Sequence, residues 1–497
     1  MPKIRQTVPV TSPGARGLNT EDAPSDLDFT WCRTADNAVI DKSGRLAARK
    51  GLKLTTESST PLGTSTGLIS IASHNDVSGF IDVFSSGNGK LLKGTTSLTN
   101  VSPSATSITA DNWKFVSWDD ELFAFQAAHA PLKYDNGGTN LFVAITGAPV
   151  ATDGAAAFGR LWALKDDVLY WSDLLNGDNW SSGTSGNINL VNVWPNGFDT
   201  GVAVTEFDNF LVIFGRNSIV VYSGATDPSK MSKFASMSNV GLVDRDAYIL
   251  SANDLFFMSN SGVRSLGRTI QEQALPEREV SRQITTDIVD LIINQNNPIK
   301  AVYVEEENII LFMFTHTGVT YCFDTKRPLD DGSLRATRWI AFAANCAVRD
   351  IGGTTYLGGG AGVHSYSGYQ DLGSDYPFRF YTNPSDMGAP SVIKMLKELH
   401  PVVVGNQTTD VVLKWGYGYG NSYSSSVIGL TQATPALYGV ALFNDGEYYT
   451  GGIVITDPTV YADGSGEVVS VGIEANINAN TLSLQELNIQ LVSGRTH

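Results

Sequence analysis

The sequence predicts an all-β protein. It divides into an N-terminal arm (1–64), a β-propeller of six or seven blades over residues 65–372 and a C-terminal β-sandwich-like part (373–497). Three observations predict this. Apolar, β-rich runs recur in pairs across short polar turns. The starts of these hairpins are spaced by roughly 40 to 55 residues, the range of propeller blades. Charged residues make up only 17% of a chain that carries 49 glycines among 497 residues, a balance that favours short strands and turns over long solvated helices.

The clearest hairpin is NFLVIFGRNSIVVYSG, residues 209–224, in which Phe210–Phe214 and Ile219–Tyr222 flank the turn Gly215-Arg216-Asn217-Ser218. Val, Ile, Phe and Tyr at this density fit a pleated, buried surface. Six further hairpins share the pattern. Phe80–Val83 precedes Lys90–Lys93 across SSGNG, and Glu121–Phe125 precedes Leu132–Tyr134. Arg160–Leu164 turns at Lys165-Asp166-Asp167 into Val168–Trp171, and Asp254–Met258 turns at Ser259–Gly262 into Val263–Leu266. Asn308–Phe314 turns at Thr315–Gly318 into Val319–Phe323, and Thr354–Leu357 turns through glycines into Val363–Tyr366.

Several hairpins have an apolar strand just upstream: Trp113–Trp118, Val202–Phe207, Ala247–Leu250 and Ala301–Val304. The joints are acidic or Asn residues that suit tight turns: Asp119-Asp120, Asp208-Asn209, Asn253-Asp254 and Glu305-Glu306-Glu307. Strand, acidic turn, strand, turn, strand is most of a four-stranded blade. Radial stacking of such blades buries both faces of sheets too small to be stable alone. WD and kelch signatures are absent. The best helical stretch is 272–293, broken near its front by Pro276.

Beyond residue 375 the strands lengthen: Phe378–Tyr381, Ile393–Val404, Thr409–Gly416, Val427–Leu430, Glu467–Glu474 and Leu482–Val492, the last with a clean period of two. Strands of this kind between Gly- and Ser-rich turns suit an antiparallel sandwich. The first 60 residues hold few strand signals and read as an extended arm packed on other parts of the chain.

The net charge of −16 argues against a nucleic-acid or anionic-lipid grip, which needs a basic patch. The one basic cluster, Arg45 to Lys50 with Lys53, reads as a solvated or interface face. Cys32, Cys322 and Cys346 are too few and too far apart for a disulfide framework or a zinc site and read as buried thiols of a reducing compartment. No apolar run is long enough to span a bilayer, and MPKIRQTVPVTSPG lacks the apolar core of a signal peptide. The sequons at Asn100, Asn179 and Asn406 therefore read as chance.

No catalytic, cofactor or metal residues are expected. Gly464-Ser465-Gly466 has the wrong spacing for a nucleophile elbow and reads as a hairpin turn. The six His (His74, His129, His316, His364, His400, His497) are scattered. Asp119-Asp120 and Asp166-Asp167 could supply paired carboxylates for glycoside hydrolysis, but turn chemistry explains them. Neither Gly352-Gly353 nor the glycines of 358–362 fit a nucleotide-binding loop. Trp415, Tyr417, Tyr419 and Tyr423, in WGYGYGNSY, form either a sugar- or partner-binding surface or an ordinary Gly/aromatic strand.

The most specific text lies in the arm: GLNT (17–20), Asp26-Leu27-Asp28, DNAV (36–39) and SGRLAARKG (43–51). In this order it resembles the opening of tail proteins of short-tailed bacteriophages, the nozzle or tail tubular protein B family with its related tail hub and packaged-DNA stabilisation proteins. At the other end, Asp386-Met387-Gly388-Ala389-Pro390 with Lys394, then Asp463–Gly466, then Ser493-Gly494-Arg495, look similar to the same family's C-terminal part. The arm departs from relatives in lacking a proline after Arg49-Lys50.

The resemblance implies a structural virion protein made in the host cytoplasm, in which the N-terminal arm (1–64) and the C-terminal strands (373–497) together build a β-sandwich-like platform beside the propeller. It implies a hexameric ring below the portal and its adaptor, extending the DNA channel, retaining the genome and serving ejection, with fibres or spikes attached nearby. Genomic DNA would pass without sequence-specific binding. Six copies at −16 each would carry about −96, a charge that limits sticking of phosphates. A second expectation, from a different class, is a carbohydrate-binding or glycan-degrading propeller, which requires a funnel of convergent carboxylates and aromatics.

Overall fold

The computed structural model describes residues 5–58, 62–63, 67–104, 106–251, 254–272, 279–294, 298–315, 317–405, 410–420, 422–429 and 454–496. Asn253, Pro276, His316, Asn406, Thr409, Asn421, Leu430 and His497 lie outside these. The chain is all-β and forms two compact units. Unit one comprises Met1–Lys53, Val319–Phe342 and Ser367–His497; unit two comprises Leu54–Gly318 and Ala343–Tyr366. Unit one thus takes in both chain ends and also 319–342, a stretch inside the 65–372 span.

Unit two is a β-propeller. Among the described residues six small antiparallel sheets are its blades. The first four have four strands each, starting at Ser70–Asn75, Lys114–Trp118, Asp153–Ala157 and Gly201–Phe207. The fifth is Tyr248–Ser251, Asp254–Ser259 and Gly262–Ser265; the sixth contains Cys346–Arg349, Thr355–Gly359 and Gly362–Tyr366. Between them lies the hairpin Ile299–Val304/Ile309–Phe314, its first strand beside both Tyr248–Ser251 and Cys346–Arg349. Cys346–Arg349 in turn lies beside Ser70–Asn75, which closes the ring.

Local chemistry sets the blades. The joints Asp119-Asp120 and Asp208-Asn209 both have φ of 50° and 64°, the left-handed pair of a two-residue hairpin turn that Asp and Asn tolerate. In the 209–224 hairpin, Leu211 pairs with Tyr222 and Phe214 with Ile219. Its two faces serve two neighbours. Leu211 and Ile213 pack with Trp162 and Trp171 of the third blade, while the Phe214 ring meets Phe257 of the fifth at 5.3 Å. A strand buried on both faces carries apolar residues without alternation, and each fully buried Leu or Phe contributes about 1.5–3 kcal/mol. The first and second blades meet through Phe84, Trp113, Leu122 and Tyr134, and the sixth and first through Cys346, Val363, Leu68 and Leu92.

The helical stretch expected over 272–293 is, after Glu272, described from 279 onward, its front with Pro276 lying outside the described residues. The described part holds a 3-10 turn at Arg282–Ile284 leading into the helix Thr285–Asn294, and a further helix, Leu266–Glu272, ends where the stretch begins. Helix starts directly where the fifth blade's last strand ends at Ser265, and the Thr269 hydroxyl donates to the Ser265 carbonyl (2.6 Å).

Unit one is a two-sheet platform. In one sheet Val392–Gly405 pairs with Leu482–Thr496, with Leu399 opposite Ile489. Arg5–Thr11 and Leu46–Ala48 add to the other side of Leu482–Thr496. The second sheet runs Val319–Asp324, Arg335–Trp339, Trp31–Asp36, Tyr376–Thr382, Val469–Ile477, Val411–Tyr417 and Tyr423–Ile428. Alternate residues are buried, including Leu396, Leu399, Leu487 and Ile489 on one sheet and Phe378, Phe380, Leu413 and Ile473 on the other. The arm is therefore strand-forming and supplies strands to both sheets. Its strands are short, and Arg5–Thr11 carries Pro9 on an edge, so each is weak in isolation.

Candidate functional site

The innermost strands of unit two line a cavity of about 400 Å³, walled by Ser70, Trp113, Lys114, Tyr248, Lys300 and Cys346 among others. An ion cluster sits in its wall. Asp246 accepts from Lys300 Nζ at 2.5 Å, from Arg245 at 2.9 Å and from Lys114 Nζ at 3.4 Å. Asn112 Oδ1 accepts from Lys300 (2.6 Å) and Arg245 (2.9 Å), and Arg245 also donates to the Thr152 carbonyl (2.9 Å). Lys114 of the second blade, Arg245 just ahead of the fifth and Lys300 thus meet at one carboxylate, and Arg245 ties it to Thr152 at the edge of the third blade.

Burial alone would raise the Asp246 pKa, but Arg245, Lys300 and Lys114 outweigh it and hold the group well below the usual carboxylate range. Asp153, equally buried, goes the other way: desolvation exceeds the pull of Lys114 and Arg245 and lifts it to about 6. Its Oδ2 accepts the Val204 N–H at 2.8 Å. Burial pushes the Cys346 thiol up to about 12, so it is not a nucleophile. Each cation of the cluster already donates to Asp246, and the arrangement acts as a polar staple between blades rather than as a catalytic constellation.

The residues singled out by sequence occupy separate places. Asp119-Asp120 and Asp166 lie in hairpin turns of different blades with positive φ, and Asp167 accepts from the Trp194 indole N–H (3.1 Å). They do not converge as a carboxylate pair. His74 bonds Ser117 (2.7 Å), His129 stacks on Trp113 (5.3 Å), His364 is fully buried and His400 lies near Glu398 (3.5 Å). No group able to hold a metal is found among the described residues. No disulfide joins the three cysteines, and all are buried.

Trp415, Tyr417, Tyr419 and Tyr423 do not form one surface. Trp415 is buried and, like Tyr417, donates to the Asp463 carbonyl (3.1 and 2.9 Å); Tyr419 is exposed; Tyr423 packs on Tyr381 at 4.9 Å. Gly464 and Gly466 lie against the Tyr417 side chain, where a Cβ would come within 2.5 Å of its ring and 2.7 Å of its Cβ.

The basic cluster at 45–50 is not one solvated or interface face. Arg49 is fully buried. It stacks on Tyr376 at 4.2 Å and Phe342 at 4.8 Å, and it bonds Asn37, the Lys50 carbonyl and Asp371. A planar guanidinium with five donors can be satisfied inside a protein where an ammonium point charge is harder to place. Asn37 Oδ1 also accepts the Ile340 N–H (3.1 Å), and its amide donates to the Pro377 carbonyl (2.8 Å). Lys394, also buried, donates to the carbonyls of Ala389 and Glu467.

Sequence reasoning passed over a hollow of about 420 Å³ on the open face of unit one's second sheet, lined by Arg33, Asp36, Arg338, Arg379, Lys414 and Glu474 with Tyr381 and Tyr423. The register builds it: Arg338 faces Asp36, Asp36 faces Arg379, and Arg379 faces Glu474 across four strands. Arg338 donates to Asp36 (2.7 and 2.9 Å), and Glu474 accepts from Lys414 (2.7 Å) and the Tyr381 hydroxyl (2.5 Å). Burial would raise the Glu474 pKa, but these two hydrogen bonds prevail and lower it. Gly472 makes room for Tyr381, whose ring a Cβ there would meet at 2.4 Å. The visible signal was FRFYT, where Arg379 alternates with the buried Phe378 and Phe380.

No family model matches the chain, and no curated protein matches it. Among solved structures, the extracellular domain of a putative one-component system from B. thetaiotaomicron is similar at 15% identity with a TM-score of 0.43, over 64% of this chain and 40% of that one. The WD40 β-propeller domain of Doa1 is similar at 11% identity and a TM-score of 0.39, over 63% of this chain and 96% of that one. PorZ of Porphyromonas gingivalis is similar at 9% identity and a TM-score of 0.35, over 64% of this chain and 42% of that one. The chain spans less than half the length of the first and third of these.

Proposed function

We propose that this chain is a subunit of a ring-shaped tail nozzle or hub of a short-tailed bacteriophage, placed below the portal-adaptor complex, where it extends the DNA channel, helps retain the genome and serves ejection. The observation that carries the reading is the place of the arm's most specific residues. Asn37 of DNAV and Arg49 of SGRLAARKG are buried together and hydrogen-bonded to each other (3.1 Å), and from there they reach Ile340, Asp371 and Pro377. Lys394, the Lys that follows the Asp386–Pro390 stretch, likewise pins Ala389 to Glu467. The residues that carry the resemblance at both ends are the polar knots of one platform.

In this role the partners are further copies of the chain in a hexamer, the adaptor protein, a tail fibre or spike, and DNA in transit; the location is the virion tail. The −16 charge per copy suits a conduit that does not hold phosphates. Light scattering and electron microscopy of the full chain, alone and mixed with a phage adaptor ring, test the reading. The expected result is a closed ring of about six copies, formed alone or on the adaptor, with the large interfaces of a stable assembly. A chain that stays monomeric in both conditions overturns it.

A further inference from the structure

We propose that the hollow around Arg33 and Arg379 on unit one is a docking site for an acidic segment of a protein partner. The charges left without a hydrogen-bonded counter-ion in the hollow are cationic. Its two carboxylates are taken, Asp36 by Arg338 and Glu474 by Lys414 and Tyr381. Arg33 and Arg379 are exposed, and among the described residues neither guanidinium hydrogen-bonds another side chain. Arg33 reaches this face through a bulge: Cys32 pairs with Thr382 and Thr34 with Tyr381, which leaves Arg33 as the extra residue. Bulges re-aim side chains and recur beside functional sites. Two forked guanidiniums beside a Tyr381–Tyr423 wall match the planar, bidentate geometry of carboxylates.

A phosphodiester offers anionic oxygens too, but the rest of the stripe disfavours it. Arg379 and Glu474 also border an adjoining hollow of about 340 Å³ that carries Asp375 and Asp410. A nucleic-acid strand, negative along its length, would run onto these carboxylates. A polypeptide brings both signs, its acidic residues to Arg33 and Arg379 and basic ones to Asp375 and Asp410.

The test is calorimetric titration of the full chain at low salt with hexaglutamate, hexalysine and a thymidine hexanucleotide. Hexaglutamate is expected to bind saturably, at least about tenfold more weakly to Arg33→Ala/Arg379→Ala, more weakly as salt rises, and unchanged in Arg5→Ala. Absence of saturable binding, or binding indifferent to the two arginines, overturns the proposal; tighter, arginine-dependent binding of the hexanucleotide overturns it in favour of nucleic acid. Should the double variant melt early, Arg379→Lys decides. It keeps the charge and loses the fork, so it must still weaken hexaglutamate binding, and no change overturns the proposal. The readout is independent of ring formation, so either conclusion can fail alone.

Discussion

Arg49 and Asp371 form a two-armed ion pair inside unit one, Nη1 to Oδ1 at 2.9 Å and Nη2 to Oδ2 at 2.6 Å, with the Arg49 side chain fully buried and Asp371 15% exposed. Removing one partner of such a pair strands the other charge and costs about 3–5 kcal/mol. Asp371→Ala and Arg49→Ala are each expected to destabilise unit one by that order, and Arg49→Lys to rescue little, because an ammonium cannot bond Asn37, the Lys50 carbonyl and both carboxylate oxygens together. Urea denaturation followed by near-ultraviolet circular dichroism checks this. A loss under about 1 kcal/mol for Arg49→Ala would show that the knot contributes little.

Gly51, two residues on, is held by close backbone approach. A Cβ there would lie 2.0 Å from the Gln370 carbonyl oxygen and 2.6 Å from its amide nitrogen, and Leu52 N–H donates to that same carbonyl at 2.9 Å. Backbone cannot rotate out of the way as a flexible side chain can, so Gly51→Ala should cost about 1–3 kcal/mol or more. Gly79, with open space around its Cβ direction but a φ of 80°, is the comparison: Gly79→Ala carries only the left-handed penalty, about 1 kcal/mol. Equal melting curves for the two variants would refute the close-approach account.

How much of this was legible in the sequence follows from how local each feature is. The turns at Asp119-Asp120 and Asp208-Asn209 depend on two or three neighbouring residues, and the blades they join were readable. The pairing of Arg5–Thr11 with Glu486–Val492 joins the two ends of the chain, and nothing in RQTVPVT specifies it. Arg49 sits in a polar, basic run that reads as solvated; its burial depends on Trp339, Phe342, Asp371 and Tyr376, none of them nearby in sequence. The Asp246 staple is dispersed in the same way, since Asn112, Lys114, Asp153 and Lys300 are each ordinary where they stand. Arg379 was readable as alternation, but its neighbours Asp36 and Glu474 come from register alone.

His364 makes the sixth blade acid-sensitive. It is fully buried, neither ring nitrogen has a hydrogen-bond partner among the described residues, and burial lowers its pKa to about 4. Between pH 6.5 and 4 the unfolded chain binds a proton there that the folded chain refuses, so stability is full above 6.5 and is lost as pH falls, by about 3 kcal/mol at most. His364→Leu removes two unsatisfied polar atoms and is expected to be near neutral at pH 7. It should flatten the acid limb, read as the difference in urea midpoints between the two proteins at pH 7 and pH 4.5. A constant difference would mean that His364 is protonated in the folded chain.

Asp153 has the opposite sign. In the folded chain its carboxyl takes a proton near pH 6 because burial outweighs Lys114 and Arg245; in the unfolded chain it does so near 3.9. Between these values the folded state binds more protons, so this group's contribution is fully present below the unfolded value and is lost as pH rises through 6, by at most about 3 kcal/mol. Asp153→Asn keeps an oxygen for the Val204 N–H and removes the titration. The stability of the parent protein minus that of the variant should therefore decline between pH 4 and 6.5, the window in which His364 drives stability upward. Pairing the two variants separates the contributions, since they lie in different blades and share no partner. If the Asp153 difference instead rises with pH, Lys114 and Arg245 outweigh burial and hold this carboxylate ionised, as they and Lys300 do Asp246.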